Sequence, residues 1–227
     1  MQMKRILLIL ICLFLLGSVP VRAAQREYVA LTFDDGPSGR FTRRLLDGLE
    51  QRGVKATFLL CGYRLETYRN LAQRIFDSGH EIGLHGYTHR DMATLSAWEL
   101  RKEIEDTKKL LPEGCEPVFL RPPGGSENSA VQAVAKQAGL SILQWSVDPR
   151  DWAVHDADAI ETAVVDQVRN GDVILLHDLS DSSVDAALAI IDRLQEEGVT
   201  FLTVSQLAEL RGIELQPGKV YQSVPPD

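Results

Sequence analysis

Two histidines four positions apart, His85 and His89, lie in the segment HGYTH, and two adjacent aspartates, Asp34 and Asp35, lie in LTFDDGP. Two imidazoles and a carboxylate suit zinc, and three protein ligands leave a fourth position open for water. Adjacent residues of an extended segment point in different directions, so one aspartate could bind the metal while its neighbour faces the water. Since residue 86 is glycine, the segment is not HExxH, and a general base must come from elsewhere. The pattern predicts a catalytic metal site.

These residues must be positioned by a regular framework, and the sequence indicates one. From Glu27 onward, short β-rich runs alternate with longer helical patterns, which is typical of a parallel α/β sheet. The predicted strands are 28–33, 56–60, 80–84, 117–120, 141–147, 172–176 and 199–204. Seven strands, each followed by a helical segment, favour a closed or nearly closed barrel. An open doubly wound sheet is the alternative, but no GxGxxG follows the first strand.

The domain boundaries and several helix ends follow from local signals. Because no linker interrupts the alternation, we expect a single domain over residues 25–213, with a tail at 214–227 that is a surface strap or mobile. Ser96 with Glu99 and Asp158 with Glu161 are spaced as capping boxes and predict two helix starts.

Further polar residues follow the predicted strands at their carboxyl ends. Arg121 follows strand four, Asp148 and Asp151 follow strand five, and His177 follows strand six. Catalytic groups of βα barrels gather at this end of the sheet. We therefore expect these residues to join the aspartates and histidines in one site.

Other conspicuous residues are expected to be structural. Cys61 follows one strand and Cys115 precedes another, so they should lie at opposite ends of a parallel sheet, beyond disulfide reach. His80 begins a strand and is interpreted as a hydrogen-bonding structural residue. Trp98 and Trp145 are interpreted as packing residues.

The motifs LTFDDGP, HGYTH, RPPGG, DPRDW and ILLHD occur in this order between about Val29 and Leu210. In order and spacing they resemble the five motifs of the polysaccharide deacetylases, the NodB-homology family also called carbohydrate esterase family four. The first motif beside the histidine pair is highly specific, and the third and fourth are moderately so. The resemblance implies an α/β fold, a distorted (β/α)7 TIM-like barrel. It also implies a metal-dependent hydrolase that removes acetyl groups from N-acetylated sugars.

The resemblance also assigns roles to individual residues. By that likeness Asp35, His85 and His89 hold Zn²⁺ or another divalent metal such as Co²⁺, Ni²⁺ or Mn²⁺, and Asp34 is the general base. In the same way, His177 is implied as the general acid and Arg121 as the residue that orients the base. Asp151 is implied as the partner of His177, and Trp152 as a wall of the groove.

The loop RPPGG is expected to supply a backbone donor for the oxyanion. Pro122 and Pro123 have no N–H, so the nearest donor is Gly124. Many relatives have an aromatic residue at the position of Gly124, so the groove here should be more open. Gly86 replaces the usual Ser or Thr of the histidine motif, which removes a hydrogen bond behind the metal ligands.

The favoured function is N-deacetylation of a bacterial cell-wall glycan, with N-acetylglucosamine of peptidoglycan as the substrate. Chitooligosaccharides, acetyl-xylan and the muramic acid of spore cortex are alternative substrates. A non-catalytic glycan-binding protein on the same scaffold is the alternative from another class. A metallo-phosphoesterase is disfavoured because the sequence shows one metal triad.

The N-terminal residues 1–23 have the pattern of a secretory signal peptide. Lys4 and Arg5 precede the apolar run 6–16, whose 11 residues are fewer than the about 20 of a membrane-spanning helix. Cleavage after Ala23 is expected, which places the protein outside the cytoplasm, secreted or associated with the cell wall. The alternative is an uncleaved membrane anchor, and the chain is expected to associate with a membrane only through such an anchor.

The charge balance of the chain argues against a nucleic-acid partner. The sequence has 24 basic and 32 acidic residues, a net charge of −8. Loss of residues 1–23 removes three basic residues and no acidic one, so 21 basic residues face 32 acidic ones and the net charge becomes −11. Phosphate binding needs a local excess of Lys and Arg, which is absent. We expect a monomer.

Overall fold

The computed structural model describes residues 27–226, and the predicted signal peptide lies outside the described residues. Strands and helices alternate along the chain. The strands are β1 (Glu27–Asp34), β2 (Thr57–Leu60), β3 (Glu81–Leu84), β4 (Phe119–Leu120), β5 (Ser141–Leu143), β6 (Val173–His177), β7 (Val199–Leu202) and β8 (Val220–Tyr221). The helices are α1 (Arg40–Gln51), α2 (Gly62–Asp77), α3 (Ala97–Lys108), α4 (Ser129–Gln137), α5 (Ala157–Val165), α6 (Asp181–Glu196) and α7 (Val204–Leu210).

The strands form one parallel sheet in the order β6-β1-β2-β3-β4-β5-β8, and β7 pairs with the first half of β1. Within residues 27–226, the two ends of this order approach each other through two isolated bridges, Val147 to Ile174 and Asp172 to Ser223. The sheet therefore curls into a partial barrel with helices around it. This confirms the predicted distorted (β/α)7 barrel and excludes the doubly wound alternative.

The main core lies between the sheet and four surrounding helices. A strand of a parallel sheet is covered on both faces, which explains the nearly continuous apolar runs of the predicted strands. The helices contribute apolar residues at helical spacing, and these are Leu45 and Leu49 of α1, Leu65 and Ile75 of α2, Ile160 and Val164 of α5, and Ile190 and Leu194 of α6. This packing holds the carboxyl ends of the strands in place.

The C-terminal tail departs from the expected strap or mobile segment. Val220 and Tyr221 form β8, which pairs in parallel with Ile142 and Leu143 of β5. Tyr221 and Val224 are both buried. The tail is therefore the edge of the sheet. The prediction missed it because two residues are too few to show strand periodicity.

The two predicted capping boxes have different outcomes. The Ser96 box at the start of α3 is confirmed, with reciprocal bonds between Ser96 and Glu99. The box predicted at Asp158 is wrong, because α5 begins after Asp156, whose side chain accepts hydrogen bonds from the backbone of Asp158 and Ala159. An aspartate two residues earlier satisfies the free N–H groups of the first turn equally well.

Three residues expected to be structural behave as such. Cys61 is buried at the carboxyl end of β2, Cys115 is half-buried before β4, and both are free thiols. His80 is buried, and its Nδ1 accepts a hydrogen bond from Ala56 N at 3.2 Å. Burial lowers the pKa of His80 to about 4, so it packs as a neutral imidazole against Phe58.

Among residues 27–226, the helices are all too short or too polar to span a membrane.

Candidate active site

The carboxyl ends of β1 and β3 bring together the three predicted metal ligands. Asp35 follows β1 directly, His85 follows β3, and His89 lies at the end of the loop that begins there. Asp35 Oδ1 lies 3.3 Å from His85 Nε2 and 2.9 Å from His89 Nε2. One donor atom from each of the three residues lies within 4.8 Å of the other two.

The chemistry of this triad fits a divalent cation. His85 Nδ1 lies 2.7 Å from the Arg121 carbonyl oxygen, and because a carbonyl can only accept a hydrogen bond, Nδ1 is the donor and Nε2 is left to bind a metal. Burial alone raises the pKa of Asp35, but contacts with His85 and His89 outweigh it and hold that pKa well below 3.8. An ionised carboxylate and two imidazole nitrogens are the donors that zinc and related metals take.

A buried ion pair fixes Asp34, the neighbour of the triad. Arg121, fully buried after β4, donates from Nη1 to Asp34 Oδ1 at 2.6 Å and to Thr32 Oγ1 at 2.9 Å. Its remaining nitrogens donate to the carbonyl oxygens of Leu143 and Gln144. A buried charge is tolerated only when it is paired and hydrogen-bonded. The free oxygen of Asp34, Oδ2, lies 3.8 Å from His85 Nε2.

A second pair holds His177, the last residue of β6. Its Nδ1 lies 2.7 Å from Asp151 Oδ1, and its backbone N–H donates to Asp151 Oδ2 at 2.9 Å. Burial lowers the pKa of His177, but the hydrogen bond and charge of Asp151, with the charges of Asp34 and Asp35, raise it to about 9. His177 is therefore cationic at neutral pH, and its Nε2 is the nitrogen left to donate a proton.

One cavity of about 390 Å³ collects these groups. It is lined by Asp34, Asp35, His85, His89, Gly124, Trp145, Asp148, Trp152, Leu175 and His177. Trp152 is 57% exposed and contacts the guanidinium of Arg150, with 5.2 Å from the guanidinium carbon to the ring centre. All ten residues predicted for the site therefore meet here, eight in the lining and Arg121 and Asp151 buried behind it.

Two lining residues were not predicted from the sequence. Trp145 was interpreted as a packing residue, but β5 ends at Leu143 and the chain then turns so that the indole lines the cavity. Leu175 lies two residues before His177 on β6, so the alternation of side chains places both on one face. That alternation was the available signal for Leu175. Trp98 also departs from its interpretation, since it is 65% exposed.

A larger cavity of about 500 Å³ lies between α2 and α3. Most of its charged groups are paired with one another, as in Lys109 with Asp106 at 2.8 Å and Arg90 with Glu99 at 3.3 Å. It contains none of the predicted catalytic or metal-binding side chains. The smaller cavity is therefore the candidate active site.

The two glycines that depart from the family pattern differ in their surroundings. Gly124 has φ +61, and a Cβ added there would meet no atom within 4 Å, so the groove is open at this point. Gly86 has φ +77, and a Cβ there would lie 2.7 Å from Met92 Cε and 3.2 Å from Glu103 Oε2. In this backbone a larger residue at 86 would not fit without movement.

Comparisons with known proteins agree with this geometry. The family model described as polysaccharide deacetylase matches residues 22–143. A peptidoglycan-N-acetylglucosamine deacetylase of Bacillus cereus is 40% identical over 187 residues, 80% of this chain and 88% of that protein. The peptidoglycan-N-acetylmuramic acid deacetylase PdaC of Bacillus subtilis is 36% identical over 82% of this chain, which spans only 40% of PdaC.

A solved structure supports the same relationship. The family 4 acetyl xylan esterase of Clostridium thermocellum, in complex with a cobalt ion, superposes with a TM-score of 0.82. It is 35% identical, and the alignment covers 88% of this chain and all of that one. The chain therefore belongs to the polysaccharide deacetylase family and is a hydrolase of that family's fold.

Proposed function

We propose that the chain is a metal-dependent N-deacetylase that hydrolyses the acetamido group of N-acetylglucosamine in bacterial peptidoglycan and releases acetate. The observation that carries the proposal is the content of the 390 Å³ cavity. Three groups face this cavity or lie directly behind it: a possible metal triad, a carboxylate held by an arginine, and an imidazole held by a carboxylate.

Asp35, His85 and His89 would hold Zn²⁺ or another divalent ion. Such an ion supplies a Lewis acid for the acetyl carbonyl and lowers the pKa of water. Asp34 is the proposed general base. Because Arg121 occupies Oδ1, the proton of the attacking water goes to Oδ2, which faces the ligands. A base placed in this way typically contributes a factor of about 10² to 10⁴ in rate.

His177 is the proposed general acid. Cleavage of an amide requires a proton on the departing nitrogen, and a cationic imidazole can give one from Nε2 while Asp151 holds Nδ1. The products are then acetate and a free amine on the sugar. The raised pKa of His177, about 9, keeps this proton available at neutral pH.

Two further residues complete the proposed site. The backbone N–H of Gly124 is the proposed donor to the oxyanion, and removal of such a donor typically costs a factor of about 10² to 10³ in rate. Trp152 offers an exposed indole at the rim, where a sugar ring can stack. Since the chain carries more acidic than basic residues, we infer that substrate capture rests on such sugar contacts.

The choice of substrate rests on the relatives. The B. cereus relative is named for N-acetylglucosamine of peptidoglycan, the B. subtilis relative for N-acetylmuramic acid and the clostridial relative for acetyl xylan. The first of these has the highest sequence identity to this chain among the three, 40%. An extracytoplasmic location, a cleaved signal peptide and a monomeric state belong to the same proposal.

Acetate release from peptidoglycan, chitin oligomers and acetyl-xylan, measured with metal present, tests this function. We expect the highest kcat/KM on peptidoglycan and loss of turnover in Asp34→Asn with metal binding retained. The control is Asp166→Asn, which changes an exposed aspartate at the end of α5. Glycan binding without acetate release would instead support the non-catalytic alternative, and faster release from another polymer would replace the substrate.

A further inference from the structure

We propose that Glu103 of α3 is a positioning residue that fixes the loop between the two histidine ligands and thereby sets the metal affinity of the site. The inference rests on the proposed metal centre. Glu103 is 7% exposed, and its side chain points inward from the helix. It accepts hydrogen bonds from Tyr87 N at 2.6 Å, Thr88 N at 2.8 Å and Thr88 Oγ1 at 2.7 Å.

The loop that Glu103 contacts is short and has an unusual backbone. Residues 86–88 connect the ligands His85 and His89, and both Gly86 and His89 have positive φ, +77 and +59. Non-glycine residues rarely adopt this conformation, so His89 must be held there by its surroundings. The bonds that hold residues 87 and 88 therefore control where the second imidazole lies.

Two neighbouring helices hold this loop, one by donating hydrogen bonds to its carbonyl oxygens and the other by accepting hydrogen bonds from its N–H groups. The N–H groups of Gly62 and Tyr63, at the start of α2, donate to the carbonyl oxygens of Gly86 and Tyr87, each at 2.9 Å. Glu103 accepts from the N–H groups on the same loop. The α2 bonds come from the backbone and persist in any side-chain variant. The hydrogen bonds of Glu103 to the loop, by contrast, can be removed by a single substitution.

A carboxylate buried in a helix packed on the sheet needs such partners. Its helix neighbours at the same face, Leu100, Ile104 and Thr107, are buried as well. All three contacts of Glu103 go to the ligand-bearing loop, and both amide donors share Oε2. Partners that orient metal ligands typically change metal affinity about 10- to 100-fold when mutated. A purely structural role would lower stability and leave the affinity of the folded protein unchanged.

The test is the dissociation constant for Zn²⁺, measured on the folded protein by competition with a chromophoric chelator. We expect Glu103→Ala to weaken binding about 10- to 100-fold, with kcat at saturating metal within a few-fold of wild type. Glu103→Gln should restore most of the affinity, because its amide oxygen can accept from both backbone N–H groups and its NH₂ can donate to Thr88. Glu105→Ala is the matched control, an exposed glutamate on the same helix.

A folded Glu103→Ala variant with wild-type Zn²⁺ affinity would overturn the inference and leave the proposed function intact. If that variant does not fold, Thr88→Val removes one of the three bonds and must weaken Zn²⁺ binding by itself. Unchanged affinity in Thr88→Val would then overturn the inference. A wild-type chain that binds no Zn²⁺ would overturn the metal centre, and this inference with it.

Discussion

Asp34 and His177 are direct partners in the parallel register of β1 and β6, at the last residue of each strand. Adjacent parallel strands lie about 4.8 Å apart, and paired residues point to the same face of the sheet. The separation of the proposed base and acid is therefore fixed by backbone hydrogen bonds. Each side chain is then oriented by its own buried partner, Arg121 or Asp151.

The pH dependence of activity should change in Asp151→Asn. Burial lowers the pKa of His177, and loss of the Asp151 carboxylate removes the hydrogen bond and the charge that most oppose burial, so the imidazole loses its proton at lower pH than in wild type. We expect the alkaline limb of the kcat/KM profile to move to lower pH than in wild type. Profiles of acetate release against pH for both proteins check this, and an unmoved alkaline limb would contradict His177 as the acid.

The same pair should affect stability as a function of pH. The folded pKa of His177, about 9, lies above its usual 6.5, so folding stabilises the protonated form. This contribution is complete below pH 6.5 and is lost as the pH rises through 9. Urea unfolding of wild type should therefore show a decline in free energy over this range that is smaller in His177→Gln. Equal slopes in the two proteins would rule out the raised pKa.

Removal of the metal should abolish activity and lower stability. A ligand at 100 times its Kd stabilises the folded state by about 2.7 kcal/mol, so added Zn²⁺ should raise the Tm of the chelated protein by roughly 5 to 10 °C. His89→Ala should lose this shift, whereas His155→Ala, which changes an exposed histidine, should keep it. Metal analysis should give one ion per chain, and two tightly bound ions would favour a metallo-phosphoesterase.

Trp152→Ala should raise KM with little effect on stability. The indole is 57% exposed, so its loss removes little core packing, and an aromatic contact of about 0.5 to 1.5 kcal/mol corresponds to a change of about 2- to 10-fold. Trp98→Ala is the matched control, since this similarly exposed tryptophan lies on α3 outside the site cavity. Steady-state kinetics on a soluble oligosaccharide check the pair, and equal KM values in both variants would contradict a stacking role.

The two family-atypical glycines should respond differently to substitution. Gly124→Ala has free space around the new Cβ and meets only the cost of positive φ, about 1 to 2 kcal/mol, so kcat should stay within a few-fold. Gly86→Ser adds a contact at 2.7 Å to Met92, so it should lose more stability and also weaken Zn²⁺ binding. Thermal melts and metal titrations check this, and a stabilised Gly86→Ser would show that the loop relaxes to the family pattern.

Much of the fold and site could be predicted because apolar runs end at polar residues. Asp34, His85, Arg121 and His177 each mark the carboxyl end of a buried strand, and parallel strands bring those ends together. Trp145 could not be placed, because the chain leaves the strand pattern two residues earlier. For residues that are far apart in the sequence and in contact in the fold, such as Arg121 and Asp34, the expected roles came from the family resemblance.

The buried position of Glu103 has a signal in the sequence. Between Lys102 and Ile104 it reads as a surface residue of an amphipathic helix. Its spacing from Leu100, Ile104 and Thr107 nevertheless places it on the buried face. A charged residue on the apolar face of a helix needs a partner, and only the folded chain shows which one.

Arg121 contacts the site through two different groups, its guanidinium on Asp34 and its backbone carbonyl on His85. The proposed general base and a proposed metal ligand are therefore held by the same residue at the end of β4. A displacement of the end of β4 would therefore move the guanidinium that holds Asp34 and the carbonyl that orients His85 at the same time. Substitutions that shift this strand end should consequently alter both contacts together, so neither can be tuned alone from this position.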